Sequence, residues 1–132
     1  MFTIETKKYG FRFNFSGFVT AEEMTKWVDE VKKIFSVPQA KEFGIFVDMQ
    51  EMKPLPDDAQ KVIVEGQTLC KTKGMVRSVV ILRSPIVTMQ FRRLAKESGI
   101  YQWERYIASS DVPNFEKVGE DWLVSAIDPD LI

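Results

Sequence analysis

FGIFVDMQEMKPLPDDA, residues Phe43 to Ala59, reads as an apolar strand that stops at Asp48, a proline-broken loop, and a helix start at Pro56-Asp57-Asp58. Phe43 to Val47 is apolar almost throughout, the pattern of a strand covered on both faces, and parallel strands are the usual examples. The strand is therefore expected at the centre of a sheet. Open α/β domains gather what they recognise at the carboxyl ends of such strands. Asp48 and the loop down to Asp58 are accordingly the first candidates for a site.

Towards the N-terminus, Met1 to Thr6 and Phe11 to Phe15 read as two strands joined at Lys7-Lys8-Tyr9-Gly10, where glycine supplies the turn. Phe11, Phe13 and Phe15 alternate with Arg12, Asn14 and Ser16, which puts three rings on one face. Thr20-Ala21-Glu22-Glu23 is a capping box. The helix it opens runs to about Phe35, with Ala21, Met24, Val28, Val31 and Phe35 in a stripe that Trp27 and Ile34 widen.

Towards the C-terminus, a helix from Asp57 to about Lys73 carries Ala59, Ile63, Gly66 and Cys70 along one line and ends at Gly74. Gly66 inside it costs ~1 kcal/mol relative to alanine, which implies a close approach of helix to sheet. Val76 to Leu82 is the next strand. Ser84 as N-cap and Pro85 at the first position open a helix that carries Val87, Phe91, Leu94, Ala95 and Ser98 down to Gly99. Tyr101 to Ala108 is a last strand, Pro113 to Ala126 a last helix, and Asp128-Pro129-Asp130 a loose end. The three tryptophans, Trp27, Trp103 and Trp122, are expected in the core.

This order, a hairpin and then α, β, α, β, α, β, α, predicts one α/β domain over residues 1–132. Its mixed, mostly parallel five-stranded sheet and about four helices wind as a right-handed superhelix. Such winding stacks the helices on one face. The other face still receives apolar side chains, Phe46 with Val79 and Ile81 or the opposite set, and needs a cover. The last helix, a second copy of the chain and an apolar ligand are the three candidates.

The composition, 45% hydrophobic and 28% charged, is that of a folded globule, and the net charge of -1 offers no basic field for nucleic acid. The single cysteine, Cys70, allows no intrachain disulfide and points to a reducing compartment. The chain has no histidine, which removes the commonest general base and zinc ligand. No apolar leader opens the sequence, and no run approaches the roughly 18 apolar residues of a membrane span. A cytoplasmic protein without stable membrane insertion is expected, and no cofactor, metal-ligand set or catalytic group is indicated.

Gly17-Phe18-Val19-Thr20 before the first helix, Phe46-Val47-Asp48 in the central strand and Glu120-Asp121-Trp122-Leu123 in the last helix carry a resemblance. With the element order, they make the chain similar to the SpoIIAA-like proteins, relatives of the STAS and anti-anti-sigma-factor domains. The resemblance implies a non-enzymatic regulatory module that binds a partner protein. Several STAS domains are switched by phosphorylation of a serine at the helix start after the central strand, here the neighbourhood of Pro56-Asp57-Asp58. No serine or threonine lies between Asp48 and Gln67, so the phosphorylatable serine is missing. An aspartate such as Asp57 near that place would act as a permanent negative charge. Some SpoIIAA-like proteins resemble binders of small apolar or lipid-like ligands, which implies the alternative of a carrier or sensor.

The expected binding residues follow from these two readings. Asp48, Pro56, Asp57, Asp58, Arg83 and Ser84 would face a protein partner, which includes a second copy in a homodimer, from the carboxyl-edge loops. Leu55, Val62 and Phe91 would line the cavity of the carrier. Each also has an ordinary structural explanation: acids in a first helical turn gain roughly 0.3–1 kcal/mol from the dipole, and serine before proline is a common way to begin a helix.

Overall fold

A computed structural model describes residues 1–131. Strands β1 (Phe2–Lys7), β2 (Gly10–Gly17), β3 (Phe43–Met52), β4 (Met75–Leu82) and β5 (Glu104–Ala108) alternate with helices α1 (Ala21–Ile34), α2 (Asp57–Thr72), α3 (Pro85–Ser98) and α4 (Phe115–Ser125) in the expected order. The strands form one sheet in sequential order, β1-β2-β3-β4-β5. β1 pairs antiparallel with β2, and every later pair is parallel. β3 is the middle strand, as its apolar run requires.

The side-chain alternation of β3 divides the molecule into two cores. Ile45, Val47 and Met49 point to one side, where Met24, Trp27 and Val28 of α1, Ile63 of α2 and Phe91 and Leu94 of α3 pack. Phe46 points to the other, joined by Val79 and Ile81 of β4, Ile107 of β5 and Trp122 and Leu123 of α4. The helices thus do not share one face: α4 is the cover that the second face needed. Gly119 lets α4 approach, because a Cβ there would stand 2.6 Å from a Phe46 ring carbon. The Trp122 indole N–H donates to the Ser78 carbonyl at 2.9 Å, and Arg77 donates to the Leu123 carbonyl at 2.9 Å.

Two caps form as expected: Thr20 Oγ accepts from the Glu23 amide, and Ser84 Oγ from the Val87 amide. Gly99 ends α3 at φ 81°, a left-handed conformation suited to glycine. Several other expectations are corrected. β3 does not stop at Asp48 but runs on to Met52, because β2 continues beside it to the Gly17–Met52 pair. Gly66 admits not the sheet but Trp27 of α1, whose Cζ3 would lie 2.0 Å from an added Cβ. Tyr101–Trp103 is a 3₁₀ turn before β5, and it leaves Trp103 51% exposed. The tail is pinned, with Asp128 accepting two bonds from Arg105 at 2.8 and 2.9 Å and so held below the usual carboxylate range.

Trp122→Ala removes the anchor of α4 and should cost about 3–5 kcal/mol of stability. Urea unfolding measures this loss, and binding of an apolar dye should rise as Phe46 and Val79 become accessible.

Candidate interaction surface at the carboxyl edge

Parallel pairing brings the carboxyl ends of β2, β3 and β4 side by side, so the segments after Gly17, Met52 and Leu82 share one edge of the sheet. They are stitched together. The Lys53 amide donates to the Gly17 carbonyl at 3.0 Å. The Leu55 amide donates to Gln90 Oε1 at 2.9 Å, and its carbonyl accepts from Gln60 and Gln90 at 2.9 and 3.1 Å. Arg83 pairs with Glu51 across the ends of β4 and β3. The proline loop is therefore fixed to α2 and α3 through its own backbone, and a loop so held is a rigid platform.

The platform presents apolar side chains to solvent. Phe18, just past β2, is 66% exposed, and Ile86 and Met89, three residues apart on α3, are 61% and 71% exposed. In the loop after β3, Pro54 is exposed and Pro56 half-buried. Asp57 and Asp58 stand exposed in the first turn of α2, where Asp58 Oδ1 accepts from the Ala59 amide at 2.9 Å. Phe18, Ile86 and Met89 were not among the residues expected from the sequence. Ile86 and Met89 lie off the stripe of Val87, Phe91 and Leu94, and Phe18 sits between a strand and an N-cap. Those positions are the signals that could have found them.

The expected residues divide among three places. Pro56, Asp57, Asp58 and Arg83 lie on the edge, and Ser84 lies there with its hydroxyl engaged as the cap of α3. Asp48 lies inside β3, on the side of the sheet that α4 covers. It accepts from Arg12 at 3.1 Å and from the Gln50 amide at 3.1 Å. Arg12 also meets Glu116 of α4 at 2.7 Å and covers the Phe46 ring at 4.6 Å. Burial works against the charge of Arg12, yet Glu116 and Asp48 outweigh it and raise its pKa. Asp48 is thus part of the tie between sheet and α4.

Leu55, Val62 and Phe91 belong to the core, and Leu55 and Phe91 are only 3% and 1% exposed. Phe91 does border a cavity between the sheet and the helices, but Leu55 and Val62 do not, and its volume is about 30 Å³. Ligand pockets usually measure about 300–1,000 Å³. This one has room for a water molecule and not for a lipid chain.

Comparison of the sequence with family models and with curated proteins returns no match. Comparison of the fold does. An uncharacterised protein of the DUF3478 family from Shewanella loihica PV-4, described as having a SpoIIAA-like fold, superposes with a TM-score of 0.65 over 93% of this chain and 92% of that one, at 17% identity. The chain has a SpoIIAA-like fold. The SpoIIAA-like arrangement here is the mixed five-stranded sheet with four helices. Among the described residues, no helix is long and apolar enough to cross a membrane.

Asp48→Ala should leave Arg12 short of a partner beneath α4 and cost about 1–3 kcal/mol. Urea unfolding would show the loss, while the surface of Phe18, Ile86 and Met89 stays intact.

Proposed function

We propose that the chain is a non-enzymatic interaction module of the STAS/SpoIIAA-like kind that docks a partner protein on the carboxyl edge of its sheet. The observation that carries this reading is the exposure of Phe18, Ile86 and Met89 on loops and a helix start that the backbone bonds of Leu55 and Lys53 hold rigid. Hydrophobic side chains on a preorganised platform are what the centre of a protein interface needs, since little ordering entropy is lost on docking. Asp57 and Asp58 add negative charge at the rim, which favours a partner with basic residues beside its apolar ones. A second copy of the chain belongs to the same class of occupant.

Non-enzymatic work fits the state of the usual nucleophiles. Burial pushes the Cys70 thiol up to about 12, which keeps it a neutral core group. Ser84 is occupied as a cap. The carrier reading has less support, because the cavity between sheet and helices is water-sized.

The test pairs the wild type with a Phe18→Ser/Met89→Asp double variant. Both positions are exposed, so each change should alter stability by within about 0.5 kcal/mol. Native mass spectrometry and affinity capture from the native cell extract should show a partner or a second copy that binds the wild type and is lost, by about tenfold or more in affinity, from the variant. Equal binding by both proteins would overturn the site. A co-purified molecule of several hundred daltons that leaves on denaturation would favour the carrier.

A further inference from the structure

Glu104, the first residue of β5, is 4% exposed and, among the described residues, makes no ion pair. Its Oε1 accepts from Ser78 Oγ at 3.0 Å, and its Oε2 lies 2.6 Å from Tyr106 Oη. Tyr106 Oη also lies 3.3 Å from the Phe91 carbonyl of α3. A phenol has one proton, so Tyr106 cannot donate both to a Glu104 carboxylate and to Phe91. A proton on Glu104 resolves the conflict: Oε2–H donates to Tyr106, Tyr106 donates to Phe91, and Ser78 donates to Oε1. Every polar atom in this buried chain is then satisfied.

Glu104 and Ser78 also border the 30 Å³ cavity, together with Gln67 and Cys70 of α2. Met75, Ser78 and Ile100 line both this cavity and an open groove at the amino edge of the sheet, so the wall there is one side chain thick. The surrounding groups are engaged elsewhere. Gln67 accepts from Ser98, Lys71 donates to Gly99, the Arg92 guanidinium covers the Tyr106 ring at 4.5 Å, and Lys96 lies over Tyr101. None of them is bonded to Glu104.

We propose that Glu104 is a protonated latch: as a neutral acid it links β4, β5 and α3 beside the cavity, and on losing its proton it draws water into the cavity and loosens that corner. The carboxylate then accepts the hydrogen bond that Tyr106 otherwise gives to the Phe91 carbonyl, so the tie from β5 to α3 is lost, and the charge needs solvation that water in the adjoining cavity supplies. Burial, opposed by the bonds from Tyr106 and Ser78, pushes the Glu104 pKa up from 4.5 to about 7. The folded state therefore holds the proton more tightly than the unfolded one. The stabilisation is full below 4.5, falls as pH rises towards about 7, and levels off above it.

The experiment compares the wild type with Glu104→Gln, whose amide donates to Tyr106 and accepts from Ser78 as the neutral acid does. Between about pH 5 and about pH 8 the urea midpoint of the wild type should fall relative to that of Glu104→Gln. Amide exchange in α3 and β5, corrected for its intrinsic pH dependence, should accelerate only in the wild type. Carbon NMR of the glutamate carboxyls should show one resonance that titrates above about pH 6 and vanishes in Glu104→Gln. Tyr106→Phe removes a bond that is charge-assisted, and so stronger, to the carboxylate than to the neutral acid, and should move that midpoint to higher pH. Parallel pH profiles for the wild type and Glu104→Gln overturn the latch. Should Glu104→Gln not fold, the wild-type titration and the Tyr106→Phe shift decide, and an ordinary glutamate titration in the wild type overturns it.

Discussion

The packing of Phe46 beneath α4 is the constraint on which the rest of the structure depends. β3 and β4 are apolar on both faces, so the sheet cannot stand with helices on one side only. Three crossover helices bury Ile45 and Val47, and α4 returns to bury Phe46, Val79 and Ile81. The approach is close because Gly119 has no side chain, and Trp122 and Leu123 are the side chains of α4 buried in the contact. This second layer removes the reason, seen in the sequence, for a ligand or a second copy to cover the sheet.

Polar groups on the α4 side serve the same closure. Arg12 joins Asp48 of β3 to Glu116 at the start of α4, and Arg105 holds Asp128 just beyond its end. The two arginines also lie over Phe46 and Trp122, at 4.6 and 4.3 Å. Each planar cation thereby joins an ion pair to an aromatic contact, a use suited to arginine and not to lysine. Asp48 is drawn into this work and away from the carboxyl edge. With both faces closed, the loops and helix start at that edge are where Phe18, Ile86 and Met89 remain exposed.

The interior is not uniformly apolar. Glu104, Tyr106 and Ser78 form a small polar chain beside a cavity whose other walls are mostly apolar. Such a chain is costly unless every atom is matched, and the state of one proton decides the match. The exposed apolar residues and the buried acid lie in different parts of the fold, the first at the carboxyl ends of the strands and the second where β5 begins.

The sequence by itself determined the element order, the caps at Thr20 and Ser84, the central place of Phe43 to Val47 and the α/β class, because periodicity and capping are local properties of neighbouring residues. It also marked Pro56, Asp57, Asp58 and Arg83 as residues of the edge. It did not reveal that β3 extends to Met52, since that length is set by pairing with β2. Nor did it distinguish Trp103, which is exposed, from Trp122, which is buried, as their surroundings come from elements far along the chain. The tertiary structure decided which face α4 covers, where Asp48 finds its cation, and that Phe18, Ile86 and Met89 share one rim. The physical reason is common to all three: they depend on which distant segments the sheet register and the helix packing bring together, and local patterns do not encode that choice.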